Sequence, residues 1–238
     1  MSEFALVTGG SQNIGGAISE RLAADGYQVI RFDIVEPEAP AAGSYVRVDL
    51  SDEAETAAAL ADIRKGRRIT RLVNNVGMGH VGSLEETSLA DFDRVMRLNA
   101  RAALQCSQVL APDMRQAGGG RIVNIASRAV AGIANITAYA ASKAALVGMT
   151  RTWAMELAAD GITVNAIAPG PIDTDMYREM NPPGGPVDRR TREGIPVGRL
   201  GTTDDIANAA SFFLDDRSGF VTGQVLFVCG GLSIGRSA

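Results

Sequence analysis

A chain of 238 residues, 46% hydrophobic and 21% charged, has the balance of one folded globular unit and excludes a disordered chain. A net charge of −4, from 23 basic and 27 acidic residues, argues against nucleic acid as a partner, and no apolar run reaches the roughly 18 residues of a membrane span. One histidine, His80, and two distant cysteines, Cys106 and Cys229, form neither a metal site nor a disulfide framework, so no metal is expected and the thiols read as those of a reduced, cytoplasmic protein.

The chain opens MSEFALVTGG, with an acidic residue where a secretory signal carries basic ones, so its first apolar run reads as a strand. Runs rich in Val and Ile recur at 4–7, 29–32, 45–48, 72–73, 122–125, 162–167 and 225–228. Amphipathic patterns lie between them at 14–25, 52–64, 89–117, 138–160 and 203–214. The runs are apolar throughout rather than alternating, which predicts strands covered on both faces. Strand–helix–strand repetition implies right-handed crossovers, hence one doubly wound α/β domain over residues 1–238: a seven-stranded parallel sheet with helices on both faces. Residues 175–198 break the rhythm, with four of the nine prolines and little periodicity. A loop this long in a compact domain is commonly functional, and a substrate lid is expected here.

The first strand runs into Thr8-Gly9-Gly10-Ser11-Gln12-Asn13-Ile14-Gly15-Gly16, followed by a helical pattern. A glycine-rich turn there lets the backbone approach a pyrophosphate at the positive end of the helix, which makes the fold Rossmann-type. The second strand ends in Asp33, about 20 residues on, placed to accept hydrogen bonds from the adenosine ribose and to repel a 2′-phosphate. Gln12 and Ile34, which could neighbour such a phosphate, are uncharged. Arg31 is a nearby cation that alternation puts on the side of Asp33, where it would moderate the preference. NAD(H) is therefore expected over NADP(H).

Several further segments carry a resemblance. Thr8-Gly9 to Gly15 matches T-G-x3-G-x-G, Asp49-Leu50 follows the third strand, and Asn74-Asn75-Val76-Gly77 stands for N-N-A-G. Asn99, Ser127, Tyr139-Ala-Ala-Ser-Lys143 for Y-x3-K, and Pro169-Gly170-Pro171 follow in order. With these, the chain resembles the short-chain dehydrogenase/reductase family over essentially its full length. Four positions depart from the pattern: Asn13 for the second glycine, Val76 for Ala, a Ser127–Tyr139 interval one residue shorter than in many relatives, and Cys229 before Gly230-Gly231 where Asp is usual. Asn tolerates the positive φ that a glycine would supply.

The resemblance implies a nicotinamide cofactor held by Gly9, Ser11, Gln12, Asn13, Ile14 and Gly15, by Asp33, Asp49 and Leu50, and by Asn75, Val76 and Gly77. Further cofactor contacts would come from Tyr139, Lys143, Pro169, Gly170, Ile172 and Thr174. Asn99, Ser127, Tyr139 and Lys143 would be the catalytic set. Tyr139 and Lys143 lie four apart on a helix and share a face. An ammonium and an oxidised nicotinamide ring would lower the phenol's pKa, so Tyr139 would take or give the substrate proton while Ser127 donates to the same oxygen. Lys143 would also bind the nicotinamide ribose and Asn99 would order a relay water, as the resemblance implies.

The expected activity is NAD(H)-dependent interconversion of a secondary alcohol and a ketone of small size. Relatives resembling 3-oxoacyl carrier-protein reductases and sugar or polyol dehydrogenases leave an NADP(H)-dependent carrier-protein reductase as the alternative. A non-catalytic nucleotide-binding sensor or scaffold is a second alternative, although it would have no need of all four catalytic groups. Family resemblance also implies a homotetramer packed through 89–117 and 138–160, with Leu146, Met149, Trp153 and Leu157 as an apolar stripe. Arg128, Arg178, Arg189, Arg190, Arg192 and Arg199 stand in or beside the lid, and one of them would select an acidic substrate such as a sugar acid.

Overall fold

The computed structural model describes residues 3–38 and 40–234. Strand β1 (Phe4–Thr8) leads into α1 (Asn13–Ala24), then β2 (Gln28–Asp33), β3 (Ser44–Arg47), α2 (Glu53–Ile63) and β4 (Ile69–Asn74). Next come α3 (Leu89–Met96), α4 (Ala102–Ala117), β5 (Gly120–Ile125), α5 (Thr137–Leu157) and β6 (Ile162–Pro169). Helices α6 (Asp175–Met180), α7 (Pro186–Gly194) and α8 (Thr203–Leu214) precede β7 (Val225–Val228). The described residues form one seven-stranded parallel sheet in the order β3-β2-β1-β4-β5-β6-β7, the architecture expected from the sequence.

Alternation along the strands divides the core into two layers. Leu6, Phe32, Leu72, Ile122 and Val164 face one side and pack with Leu60 of α2, Leu110 of α4 and Leu157 of α5. Ala5, Val7, Val73, Val123 and Ile167 face the other, against Ile18 and Leu22 of α1 and Phe213 of α8. Strands β4, β5 and β6 are buried at every residue, which is why their sequences do not alternate. At about 1.5–3 kcal/mol per fully buried aliphatic or aromatic side chain, these layers dominate the stabilisation. The sheet also buries Arg71 and Arg121, and both reach Asp216, Arg71 at 2.8 Å and Arg121 at 3.3 Å.

Two local features differ from the sequence reading. The helical pattern 89–117 is interrupted by a π-helical turn over Arg97–Arg101, which carries Asn99. Of the stripe on α5, Leu146 and Leu157 are buried, while Met149 and Trp153 are half-buried, Trp153 packing on the core. Residues 175–198, aperiodic in sequence, contain α6 and α7. Pro186 starts α7, where its missing N–H costs nothing. Buried Asp188 then accepts from Tyr177 Oη (3.2 Å), Gly184 N (3.1 Å) and Arg192 Nε (3.0 Å), tying α6 to α7. Arg192 beside it holds the Asp188 carboxyl below the usual carboxylate range.

Strand order reverses between β1 and β4, so the crevice at their carboxyl ends is where an open α/β sheet binds ligands. The residues at those ends include Thr8, Asp33, Asn74, Ile125 and Pro169. Among the described residues no helix is long and apolar enough to cross a membrane, Cys106 and Cys229 are both free thiols, and no acidic, His and Cys cluster could hold a metal ion.

Candidate active site

The glycine turn is fixed from below by the segment after β4. Thr8 Oγ1 accepts from Asn75 N (2.9 Å) and Val76 N (3.1 Å). Asn75 Nδ2 donates to the carbonyls of Thr8 (3.0 Å) and Gly9 (2.9 Å). Gly9 takes φ +61°, and a Cβ on Gly15 would run into the Gly9 carbonyl oxygen. The cradle therefore exists only because both positions lack side chains.

Asn13 does adopt the left-handed conformation, at φ 49°. Its amide does more: Nδ2 donates to Asp175 Oδ2 and Oδ1 accepts from Asp175 N, both at 3.1 Å. The residue that replaces a glycine thus ties the turn to the start of α6. Spacing gave no signal for this pair, because 162 residues separate its members.

Asp33 is held ready by two backbone amides, Ser11 N to Oδ2 at 3.0 Å and Val35 N to Oδ1 at 3.2 Å. Arg31 does not moderate it, contrary to the alternation argument. Its side chain is only 2% exposed and is spent on Gly10 O (2.9 Å), Ala42 O (2.8 Å) and Glu20 Oε1 (2.5 Å). A guanidinium buried this deeply needs such partners, and it acts here as a prop under the glycine turn.

One cavity of about 510 Å³ gathers most of the expected cofactor residues. It runs from Gly9, Gln12, Asn13, Ile14, Gly15 and Asp33, past Asn75, Val76 and Gly77, to Ser127, Tyr139 and Lys143, and its far wall is Pro169, Gly170, Ile172 and Thr174. Ser11 lines an adjoining polar cavity instead. Asp49 and Leu50 are not brought in. Leu50 is buried in the core, and the Asp49 carboxylate accepts from Ser51 N at 2.8 Å. His80 stands in the loop after β4, outside this lining.

At the reacting end, β5 delivers Ser127 and α5 delivers Tyr139 and Lys143. Despite the short interval, a 3-10 turn over Arg128–Ala131 and positive φ at Gly132 and Asn135 bring Ser127 and Tyr139 to one cavity wall. Lys143 is 4% exposed, its Nζ donating to Ile125 O at 2.8 Å and lying 5.8 Å from the Tyr139 ring centre. Asn99, in the π-helical turn, binds Met78 N (2.8 Å) and O (3.0 Å) and donates to Ser142 Oγ (3.0 Å). It is buried behind the cavity rather than in its lining. A Cβ on Gly77 would come within 3.2 Å of Lys143 Nζ and 3.3 Å of Asn99 Oδ1, which places Asn99 and Lys143 against the same glycine.

Burial pushes the Tyr139 phenol above its ordinary pKa, and the hydrogen bond from Ser127 only partly offsets this. Burial also pulls Lys143 down to about 8. Desolvation outweighs the Ser127 hydrogen bond, so burial in the protein alone disfavours the Tyr139 phenolate. A bare cradle at a helix start, a carboxylate at the ribose end and a Ser/Tyr/Lys cluster at the other end fit a nicotinamide dinucleotide.

Comparison with known proteins agrees with this geometry. Residues 9–233 match a family model described as enoyl-(acyl carrier protein) reductase. The chain is 42% identical over 244 residues to the BbsD subunit of a hydroxy(phenyl)methylsuccinyl-CoA dehydrogenase from Thauera aromatica, covering 98% of this chain and 97% of that one. The chain belongs to the short-chain dehydrogenase/reductase family. As a family member it is an oxidoreductase of that type, built to use a nicotinamide cofactor. It is also similar to the 3-oxoacyl carrier-protein reductase of Escherichia coli K12, at 34% identity over 97% of each chain. Among solved structures, a putative NAD(P)-dependent gluconate 5-dehydrogenase from Beutenbergia cavernae, with bound NADP at low occupancy, superposes with a TM-score of 0.91. That match has 34% identity and covers 97% of this chain and 96% of the other.

Proposed function

We propose that the protein is an NAD(H)-dependent dehydrogenase/reductase that interconverts a secondary alcohol and a ketone of small size. The convergence of Ser127, Tyr139 and Lys143 on one cavity wall carries this reading. The bound cofactor would accept or supply the hydride, and its oxidised ring would add the positive charge that Tyr139 lacks in the protein alone. In the oxidation direction Tyr139 takes the hydroxyl proton. Ser127 would donate to the substrate oxygen, and Lys143 would bear on the phenol and on the nicotinamide ribose. Gly9 through Gly15 and Asn75 to Gly77 would seat the dinucleotide, and Asp33 the adenosine ribose. The test is a screen of the purified protein with NAD+ and NADP+ against alcohols, polyols, hydroxy acids and 3-hydroxyacyl thioesters, read as absorbance of the reduced nicotinamide. No turnover of any class with either cofactor would overturn the proposal.

The preference for NAD(H) rests on Asp33 and its surroundings. The adjoining cavity is lined by Glu20, Glu38, Asp173 and Asp175, while its cations Arg31 and Arg178 are held by Glu20 and Asp173. That field opposes a 2′-phosphate. Asp33→Ala is expected to weaken NADH binding by at least about tenfold, since a hydrogen bond to a charged group contributes about 1.5–3 kcal/mol and tenfold is about 1.4 kcal/mol, and to shrink the discrimination against NADPH. A titration in which the unaltered protein already prefers NADPH would reverse this reading.

Residues 175–198 would act as the lid, since Met176, Tyr177 and Met180 of α6 line the cofactor cavity. Assembly as a homotetramer is part of the same proposal. It is supported by exposed apolar side chains near the β7 edge, with Phe220 fully exposed, Phe212 52% and Phe227 37%. Light scattering is expected to give about four times the 24.9 kDa chain mass, and a monomer at micromolar concentration would exclude the assembly.

A further inference from the structure

A second chamber, of about 470 Å³, opens off the cofactor cavity. The two share Ser127, Pro169, Gly170, Pro171, Tyr177 and Met180, so a molecule in the chamber abuts the cofactor cavity at the serine. Part of its wall is apolar, from Ile133, Met180 and Leu232. Two arginines also line it: Arg128, the residue after Ser127, and Arg190 of α7.

The arginines around the lid divide sharply by partner. Arg178 is bound to Asp173 at 2.7 Å, Arg192 to Asp188 at 3.0 Å and Arg199 to Asp205 at 2.7 Å. Each of these charges is answered within its own segment. Arg128 and Arg190 make no hydrogen bond or ion pair with any described residue, and no Asp or Glu is among the described residues that line the chamber. Arg189 is also exposed but lies outside the chamber lining. The anchoring of α7 through buried Asp188 fixes the helix whose residue 190 lines the chamber. Two cations without a protein partner, Arg128 half-buried and Arg190 exposed, at a chamber whose described lining holds no acid favour an anion, and planar guanidinium groups suit a planar oxyanion.

Resting on the hydride-transfer reading above, we propose that the substrate is a hydroxy acid. Its carbinol faces Ser127 and Tyr139, its apolar body lies along Ile133, Met180 and Leu232, and its carboxylate is gripped by Arg128 and Arg190. This selects two positions from six candidate arginines and assigns the chamber a substrate class. The shared chemistry is a terminal oxyanion, for which the phosphates of a coenzyme A thioester are the other source.

The experiment compares kcat/KM with NAD+ for 3-hydroxy-3-phenylpropionate and its neutral methyl ester, and for 3-hydroxybutyryl-CoA and the corresponding pantetheine thioester. The unaltered enzyme is expected to favour the charged member of the acid–ester pair. Arg128→Met and Arg190→Met should each erode that preference by roughly 30- to 1,000-fold, the range for losing a charge-assisted hydrogen-bonded partner in transition-state binding. Arg189→Met should leave it unchanged. Arginine-dependent preference confined to the thioester pair would show that the clamp reads phosphate, and would overturn the hydroxy-acid assignment. Equal turnover of charged and neutral members in the unaltered enzyme would overturn the clamp, whatever the variants do, while leaving the alcohol–ketone reading in place. No turnover of neutral or charged alcohols would instead fail that underlying reading. If a Met variant does not fold, Arg128→Gln and Arg190→Gln remove the charge at similar size, a loss of acid preference in these supporting the clamp and an undiminished preference overturning it.

Discussion

Replacing Tyr139 with Phe is expected to lower kcat for alcohol oxidation by about 1,000-fold, within the range for a positioned proton donor or acceptor. That is about 4 kcal/mol of barrier. The ring would still fill its place on α5 and Lys143 would keep its bond to Ile125 O, so affinity for reduced nicotinamide should stay within about threefold. The pH dependence carries a sign. Oxidation needs the phenolate, so its rate should rise with pH through the Tyr139 ionisation in the cofactor complex, and ketone reduction should fall through the same ionisation. Because burial holds this phenol above its ordinary value, the limb is set by whatever positive charge the complex places beside it. Lys143, pulled down to about 8 by burial, is charged only below that range, so Lys143→Met should move the limb to higher pH if cofactor binding brings the limb to about 8 or below. Rate profiles in both directions decide the matter. A Tyr139→Phe protein with unaltered kcat and the same limb would remove Tyr139 from the chemistry.

Gly15→Ala should abolish the nucleotide cradle without unfolding the sheet. The added methyl meets the Gly9 carbonyl oxygen and comes within 2.5 Å of Asn75 Nδ2. Neither neighbour is a free side-chain end: one is backbone, and the other is pinned to Thr8 and Gly9. The turn must shift, and NADH affinity should fall by at least about 100-fold, or 2.7 kcal/mol. The helical and sheet signals in circular dichroism should persist, because the collision lies at the strand end and the two core layers are untouched. Gly148→Ala is the control: a Cβ there meets nothing within 4 Å, and the position is helical, so binding should hold and stability rise slightly. Undiminished NADH binding by the Gly15→Ala protein would mean the dinucleotide sits elsewhere.

The central strands were legible because burial on both faces writes itself into sequence as unbroken apolar runs, and β5 and β6 lie where those runs stand. The glycine turn, Asp33 and the Tyr139/Lys143 pair were legible for a related reason. Each depends on conformation or spacing within one short segment, which local sequence encodes. Residues 175–198 were read as aperiodic because α6 and α7 are short and their anchor is a buried carboxylate. The visible signals were Pro186 at a helix start and the Asp188/Arg192 spacing.

What sequence by itself determined was the parallel α/β sheet, with a glycine turn after β1 and the residue types of the candidate cluster. Only the tertiary structure decided which charges are spent. Arg31 and Arg128 look alike in sequence, yet one is buried under Gly10 with Glu20 as partner, and the other lines a chamber with no acid among its described lining residues. The same holds for Asn13, whose amide finds Asp175 across the fold, and for Tyr139, whose pKa rises because desolvation exceeds the effect of its neighbours. Partner choice and solvent exclusion depend on contacts between residues far apart in the chain. Local periodicity and spacing carry no record of those contacts, whereas folding fixes them all together.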